Sequence, residues 1–269
     1  MVVFPNSKIN LGLRIVSKRD DGYHDLDTVF YPLPICDALE VIANGDQHNN
    51  FTISGLSIEA ATDNLCLRAF QLLKKDFPDL PPVNMHLHKA IPVGAGLGGG
   101  SADAAFSLTL LNDKFQLGLT TDQLLQYALK LGSDCPFFII NKPCHATGRG
   151  ELMQPVDMDL SSYKFVLINP GIHISTGKAF AGAAPAIPVR STREIISQPV
   201  HTWKDQLKND FEKTIFPAFP EIEKIKNSLY EHGALYASMS GTGSSVYGIF
   251  DRNRVLNIDA PSHYFYKEI

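Results

Sequence analysis

Apolar and polar residues alternate with a period of two along several short stretches near the start of the chain, the mark of strands with one buried face. Residues 2–4, 9–16, 26–33 and 38–43 are rich in β-branched and aromatic side chains and are separated by Pro, Gly, Asp or Asn. They predict a chain that begins as an antiparallel sheet. Val83–Lys89 alternates in the same way. The period changes to helical where Leu65, Ala69, Leu72 and Leu73 fall on one face, with Asp63 or Asn64 as the cap, and again over about 101–112 and 121–131. Residues 145–153 read as a strand with a sharp bend at two glycines. After Asp157 the pattern restarts with a buried strand at 164–169 and weak helices at 175–184 and 195–207, broken by Pro185, Pro188 and Pro199. A clear helix follows at 220–231, stopped by Gly233, and then two short strands flank a second glycine loop at 240–245. This pattern predicts an α+β protein of two domains, 1–158 and 159–269, with a mixed sheet and helices first and a smaller α+β domain after.

Composition removes several function classes. A chain of 269 residues with a net charge of −4 and a pI near 6.1 carries scattered Lys and Arg and no basic stripe, so nucleic acid is not an expected partner. Cys36, Cys66, Cys135 and Cys144 form no CxxC pair and read as free thiols in a reducing compartment. The apolar runs are only strand length, and the N-terminus has no charged leader before an apolar segment. The expectation is a cytoplasmic protein with no membrane partner.

The chemistry concentrates between residues 92 and 105, PVGAGLGGGSADAA, where five glycines join a strand to a helix that Ser101 is placed to cap. Glycines allow close backbone approach, and a helix N-terminus favours an anion, so a phosphate is the natural guest. Gly94, Gly96 and Gly99 fit the dinucleotide fingerprint, but no second strand ends in an acidic residue at the required distance. Gly94, Gly99 and Ser101 fit P-loop spacing, with Gly100 where that motif needs lysine. A plain connecting turn needs one or two glycines and does not explain five. Two further features have ordinary explanations when taken alone. Tyr23 and His24 beside the Asp21-Gly22 turn suit a sheet surface, and Asp134 before Pro136 suits a helix cap.

Three stretches together, SKINLGL with KRDDGYHDL, then PVGAGLGGGSADAA, then SGTGSSV, resemble the three motifs of the GHMP kinase superfamily over nearly the whole chain. DGYH, LGSDCPFF, GRGE at 148–151 and ND at 209–210 resemble the branch that phosphorylates an alcohol bearing cytidine diphosphate in the non-mevalonate isoprenoid route. The resemblance implies the two-domain GHMP kinase fold, with ATP and catalysis on the N-terminal domain and the substrate side on the C-terminal one. It further implies ATP as cosubstrate with Mg²⁺, no covalent intermediate, and a monomer or weak homodimer.

Residue by residue, the resemblance assigns Lys8 and Asp134 as the catalytic pair. Asp134 would accept the proton of the substrate hydroxyl, and Lys8 would neutralise charge developing on the phosphoryl group. It assigns ATP binding to Pro92, Val93, Gly94, Ala95, Gly96, Leu97, Gly98, Gly99, Gly100, Ser101 and Ala102, with Asn64 lining the nucleotide pocket or serving only as a cap. Tyr23 and Phe180 would stack on cytosine while His24 reads the base edge, with Asn10 and Thr176 as polar contacts. Ser101 would reach Mg²⁺, and no carboxylate is assigned as a metal ligand. The rival readings are a GHMP kinase acting on homoserine, mevalonate or a sugar, which has no base for DGYH to stack, and a nucleotide-binding regulator without turnover.

Overall fold

The computed structural model describes residues 1–45, 48–56 and 64–269, so the alternative cap Asp63 lies outside the described residues. The chain gives β1 (Val2–Val3), β2 (Asn6–Lys18), β3 (His24–Cys36), β4 (Ala38–Ala43), β5 (Asn50–Gly55), α1 (Leu65–Asp76), β6 (Val83–Lys89), α2 (Gly99–Phe115), α3 (Thr121–Leu131) and α4 (Cys135–Ile140). It continues with β7 (Cys144–Gly148), β8 (Leu152–Pro155), β9 (Tyr163–Asn169), α5 (Thr176–Ala181), α6 (Thr192–Ile196), α7 (Trp203–Gln206), α8 (Glu212–Ala218), α9 (Pro220–Glu231), β10 (Tyr236–Met239), β11 (Val246–Asp251) and β12 (Phe265–Glu268).

These elements form two compact units interleaved along the chain. One comprises Met1–Lys8, Pro32–Val93 and Gly98–Lys142, the other Ile9–Tyr31, Gly94–Leu97 and Pro143–Ile269. Residues 143–158, expected with the first domain, fold with the second unit because β7 pairs antiparallel with β3, Gly148 opposite Leu26 and Cys144 opposite Phe30. The bend expected at 145–153 is a turn between two paired strands, β7 and β8, with Gly148 and Gly150 both at positive φ.

In the first unit the sheet order is β1-β4-β6-β5, antiparallel except for the parallel β5–β6 pair. The early strands therefore do not share one sheet: β1 and β4 belong to this one, while β2 and β3 join β7 and β8 in another. Helices α1 to α4 accompany the first sheet. Asn64 caps α1, its carbonyl accepting the Cys66 N–H at 2.8 Å, and Thr120 with Gln123 forms a reciprocal capping box on α3. Most of α2 is buried around its whole circumference, including Ala102, Ala104, Ala105, Leu108, Leu110 and Leu111, so this helix is the centre of the unit's core.

The second unit contains the β10-β11-β9-β12 sheet, antiparallel throughout. Leu13, Ile15, Val166, Ile168, Phe211, Ile222, Leu229, Val246 and Phe250 form its core. The stretch after Asp251 returns as β12, which adds an edge to β9. Among the described residues no helix is long and apolar enough to cross a membrane.

Candidate active site

The helix after the glycine loop starts two residues earlier than the pattern predicts, at Gly99, and Gly98 rather than Ser101 holds the cap position. Gly98 has φ 71°, a left-handed conformation that suits glycine, and it supplies no side chain to the first-turn amides. Those N–H groups and the dipole of a 17-residue helix are left for an anion. Ser101 sits inside the first turn, hydrogen-bonded to Cys135, whose thiol burial pushes up to about 12 and so keeps inert. Pro92 and Val93 precede the loop, with Val93 exposed, and Ala102 is fully buried.

Lys8 lies beneath this helix end. A Cβ on Gly98 would stand 3.1 Å from both Cγ and Cε of Lys8 and 2.9 Å from the Phe138 ring. Lys8 is only 4% exposed, and its Nζ lies 3.3 Å from Asp134 Oδ2. Asp134 occupies the position before α4 but makes no capping hydrogen bond there, so the cap explanation does not account for its side chain. The carboxylate faces the lysine instead and remains 35% exposed. A buried cation and a partly open carboxylate thus meet near the N-terminus of α2.

A cluster that the sequence reading missed supports the same helix. Lys89, at the end of β6, is buried between Asp37 and Asp103, with its Nζ 2.8 Å from Asp103 Oδ2 and also donating to Asp37. Asp37 Oδ1 accepts the N–H groups of Ala90 and Ile91 at 2.6 and 2.9 Å, fixing the chain just before the loop. Asp103 belongs to the second turn of α2, and its Oδ1 is buried without a hydrogen-bond partner. Burial pushes its carboxyl up to about 7, with Asp37 adding to the rise and Lys89 opposing it. The signal was present: Val83, Met85 and Leu87 are the buried phase of β6, and Lys89 falls on that phase.

The loop residues Gly94–Leu97 belong to the second unit, where the other glycine loop holds them. Ser240 Oγ donates to Gly96 O at 2.8 Å and accepts the Asn10 N–H at 3.3 Å, and Ser245 N donates to Ala95 O. A side chain at Gly96 would run into the Ser240 carbonyl. Asn209 in turn secures the second loop, donating to Met239 O and Gly241 O at 2.8 Å each. Asn10 is buried, its side-chain amide donating to Thr28 Oγ1 at 3.0 Å and its backbone carbonyl accepting from the Tyr247 hydroxyl at 2.8 Å.

The same unit brings His24 and Phe180 together. Their rings stack 4.8 Å apart at 19°, and Phe180 meets Phe211 edge-on at 4.9 Å. Tyr23 is 54% exposed and lies under the Arg149 guanidinium rather than against Phe180. Thr176 is exposed at the first position of α5, which Ser175 caps. Nearby, Asp27 is buried and accepts from His145 at 2.9 Å and from Thr192 N and Oγ1. Burial alone would raise its carboxyl, but these hydrogen bonds outweigh it and hold Asp27 below the usual carboxylate range.

The site can be set beside known proteins. Residues 64–142 match the GHMP kinases N terminal domain and residues 193–258 match the GHMP kinases C terminal domain. The chain is 53% identical over 253 residues to the 4-diphosphocytidyl-2-C-methyl-D-erythritol kinase of Bacteroides fragilis, covering 93% of this chain and 92% of that protein. It is 51% identical to the kinase of that name from Parabacteroides distasonis, covering 94% and 92%. A crystal structure of 4-(cytidine 5'-diphospho)-2C-methyl-D-erythritol kinase superposes with a TM-score of 0.79 at 29% identity, covering 94% of this chain and 91% of that one. The fold is shared more widely, since the Methanococcus jannaschii mevalonate kinase superposes with a TM-score of 0.69 at only 12% identity. Identity of this extent, along almost the full length of each relative and through both kinase domains, establishes that the chain belongs to the 4-diphosphocytidyl-2-C-methyl-D-erythritol kinase family of GHMP kinases.

Proposed function

We infer that the protein is an ATP-dependent kinase that phosphorylates the 2-hydroxyl of 4-diphosphocytidyl-2-C-methyl-D-erythritol, in the non-mevalonate route to isoprenoid precursors. The observation that carries the chemistry is the Lys8–Asp134 pair at the open N-terminus of α2. Asp134 accepts the proton of the attacking hydroxyl, and Lys8 stabilises the charge that develops on the transferred phosphoryl group. The α2 amides and the glycine-loop backbone from Pro92 to Ala102 hold the phosphates, which accounts for a loop without a P-loop lysine. Asn64 borders the nucleotide while also capping α1.

Mg²⁺ fits this site as the companion of the nucleotide. Among the described residues no cluster of three or more His, Cys, Asp or Glu is placed to hold a metal ion, and the oxygen donor that the first turn of α2 offers is Ser101. When bound, the ion neutralises phosphate charge. On the substrate side, Tyr23 and Phe180 supply ring faces for cytosine, His24 supplies the contact to its edge, and Asn10 and Thr176 supply polar contacts to the alcohol.

The test is ADP release measured with the cytidylylated methylerythritol, methylerythritol phosphate, homoserine and mevalonate as acceptors. Turnover confined to the cytidylylated acceptor is expected. Equal turnover of methylerythritol phosphate would overturn the substrate, and turnover of homoserine or mevalonate instead would move the protein to another branch of the superfamily.

A further inference from the structure

Register places two turns side by side in the second unit. Because Gly148 pairs with Leu26, the turn that follows β7 emerges beside the residues that open β3. Arg149 lies in that turn, and its guanidinium carbon sits 4.7 Å from the centroid of the Tyr23 ring. Both partners are held from below. The Arg149 N–H donates to Glu151 Oε2 at 2.6 Å, and its Nε lies 3.6 Å from Glu151 Oε1. The Tyr23 N–H donates to Asp21 Oδ1 at 3.1 Å, and its carbonyl accepts from Arg19 N at 2.9 Å. The Asp21 carboxylate is held below its usual range by its hydrogen bond from Arg19 first, with Arg149 a further cation acting on it. Arg149 is therefore drawn to this position by a ring face and by an acid on the Tyr23 turn, while its own Glu151 fixes its backbone.

A ring has two faces, and a planar cation on one leaves the other for a planar guest. We propose that Arg149 is a specificity-determining positioning residue, which covers one face of Tyr23 and thereby presents the opposite face to the cytosine of the substrate. The proposal rests on the reading that Tyr23 stacks on the base. Its consequences are separable from that reading, because Arg149 touches the ring and not the reacting atoms. Without the guanidinium, an exposed tyrosine at a turn has rotamers open to it that turn the ring away, and each dilutes the stacking-competent arrangement. The effect falls on binding of the cytidine group alone.

The experiment compares Arg149→Ala, Arg149→Gln, Arg149→Lys, Tyr23→Ala and the Arg149→Ala/Tyr23→Ala double variant in steady-state kinetics against each substrate. Arg149→Ala and Arg149→Gln should raise KM for the cytidylylated alcohol about 2- to 5-fold, the size set by a surface cation–π contact, with KM for ATP unchanged and kcat within about twofold. Arg149→Lys, which keeps a cation over the ring, should restore much of the loss. In the Tyr23→Ala background Arg149→Ala should add nothing. A lower KM in Arg149→Ala would show that the guanidinium occupies the base's own face and would overturn the proposal. So would an unchanged KM in Arg149→Ala alongside a raised KM in Tyr23→Ala, an outcome that leaves base stacking intact. If Tyr23→Ala itself leaves KM unchanged, the stacking reading fails and the proposal falls with it.

Discussion

Gly98 is packed directly over Lys8, so that the only Cβ-free residue type is also the one that lets a lysine side chain run beneath the first turn of α2. Gly98→Val combines an unfavourable positive φ with a clash against Lys8 and Phe138. The variant should lose ATP affinity by roughly tenfold or more and lose turnover with it, since Lys8 is displaced as well. Calorimetric ATP titration checks this, and unchanged affinity in a folded variant would remove the loop from the phosphate site.

Asp134→Asn keeps the shape of the side chain and removes its basicity. It should lower kcat by roughly 10²–10⁴-fold with little change in ATP affinity, and Lys8→Met should cost turnover comparably. A variant that kept full kcat and only melted earlier would show that Asp134 serves α4 rather than the reaction.

The Asp103 cluster makes a prediction in pH. In the folded protein Asp103 keeps its proton up to about 7, above the usual carboxylate range, because of burial and the Asp37 charge. Between those limits the folded state binds more protons than the unfolded state, so the cluster's contribution is greatest on the acid side and declines as pH rises through about 7. Asp103→Asn should flatten that decline, which is on the order of 1 kcal/mol per pH unit at its steepest. Urea unfolding of both proteins at pH 5, 6, 7 and 8 reads the difference directly, and parallel curves would count against it.

Phe180 stacks on His24 and meets Phe211 edge-on, so its removal affects local packing as well as the ring face proposed for the base. Phe180→Ala should raise KM for the cytidylylated alcohol about 5- to 150-fold while leaving KM for ATP nearly unchanged. His24→Ala should in addition weaken the preference for cytosine over uracil, because a ring face alone does not distinguish bases. A uniform rise in both KM values would point to a loosened unit instead of a lost platform.

The strands and long helices were legible because their apolar periods are strong, and the motifs that contain Lys8 and Asp134 pointed to two residues that the fold brings into one ion pair. The start of α2 was not. Ser101 has the chemistry of a cap, but a left-handed Gly98 turns the chain three residues sooner, and no side-chain pattern encodes that. The membership of residues 143–158 in the second unit was hidden for a different reason: it follows from β7 pairing with β3, a contact between distant parts of the chain. Tyr23 and Phe180 were read as the two rings that stack on cytosine, and the contacts that sequence did not reveal are those each ring makes within the protein, Arg149 for one and His24 for the other. Spacing in sequence identifies aromatic residues and says nothing of which face each one offers.

The buried cluster of Asp37, Lys89 and Asp103 also constrains the order in which this chain can change. It holds two acids against one base, so Asp103→Asn leaves a balanced pair, whereas loss of Lys89 leaves two buried acids without a counter-charge. Loss of Asp37 removes in one step both a partner of the ammonium and the acceptor for two backbone amides ahead of the loop. The three positions are therefore unequal doors. Divergence can pass through Asp103 singly, but it can reach an apolar residue at 89 only after both acids have been neutralised, a path whose first steps bring no gain of their own.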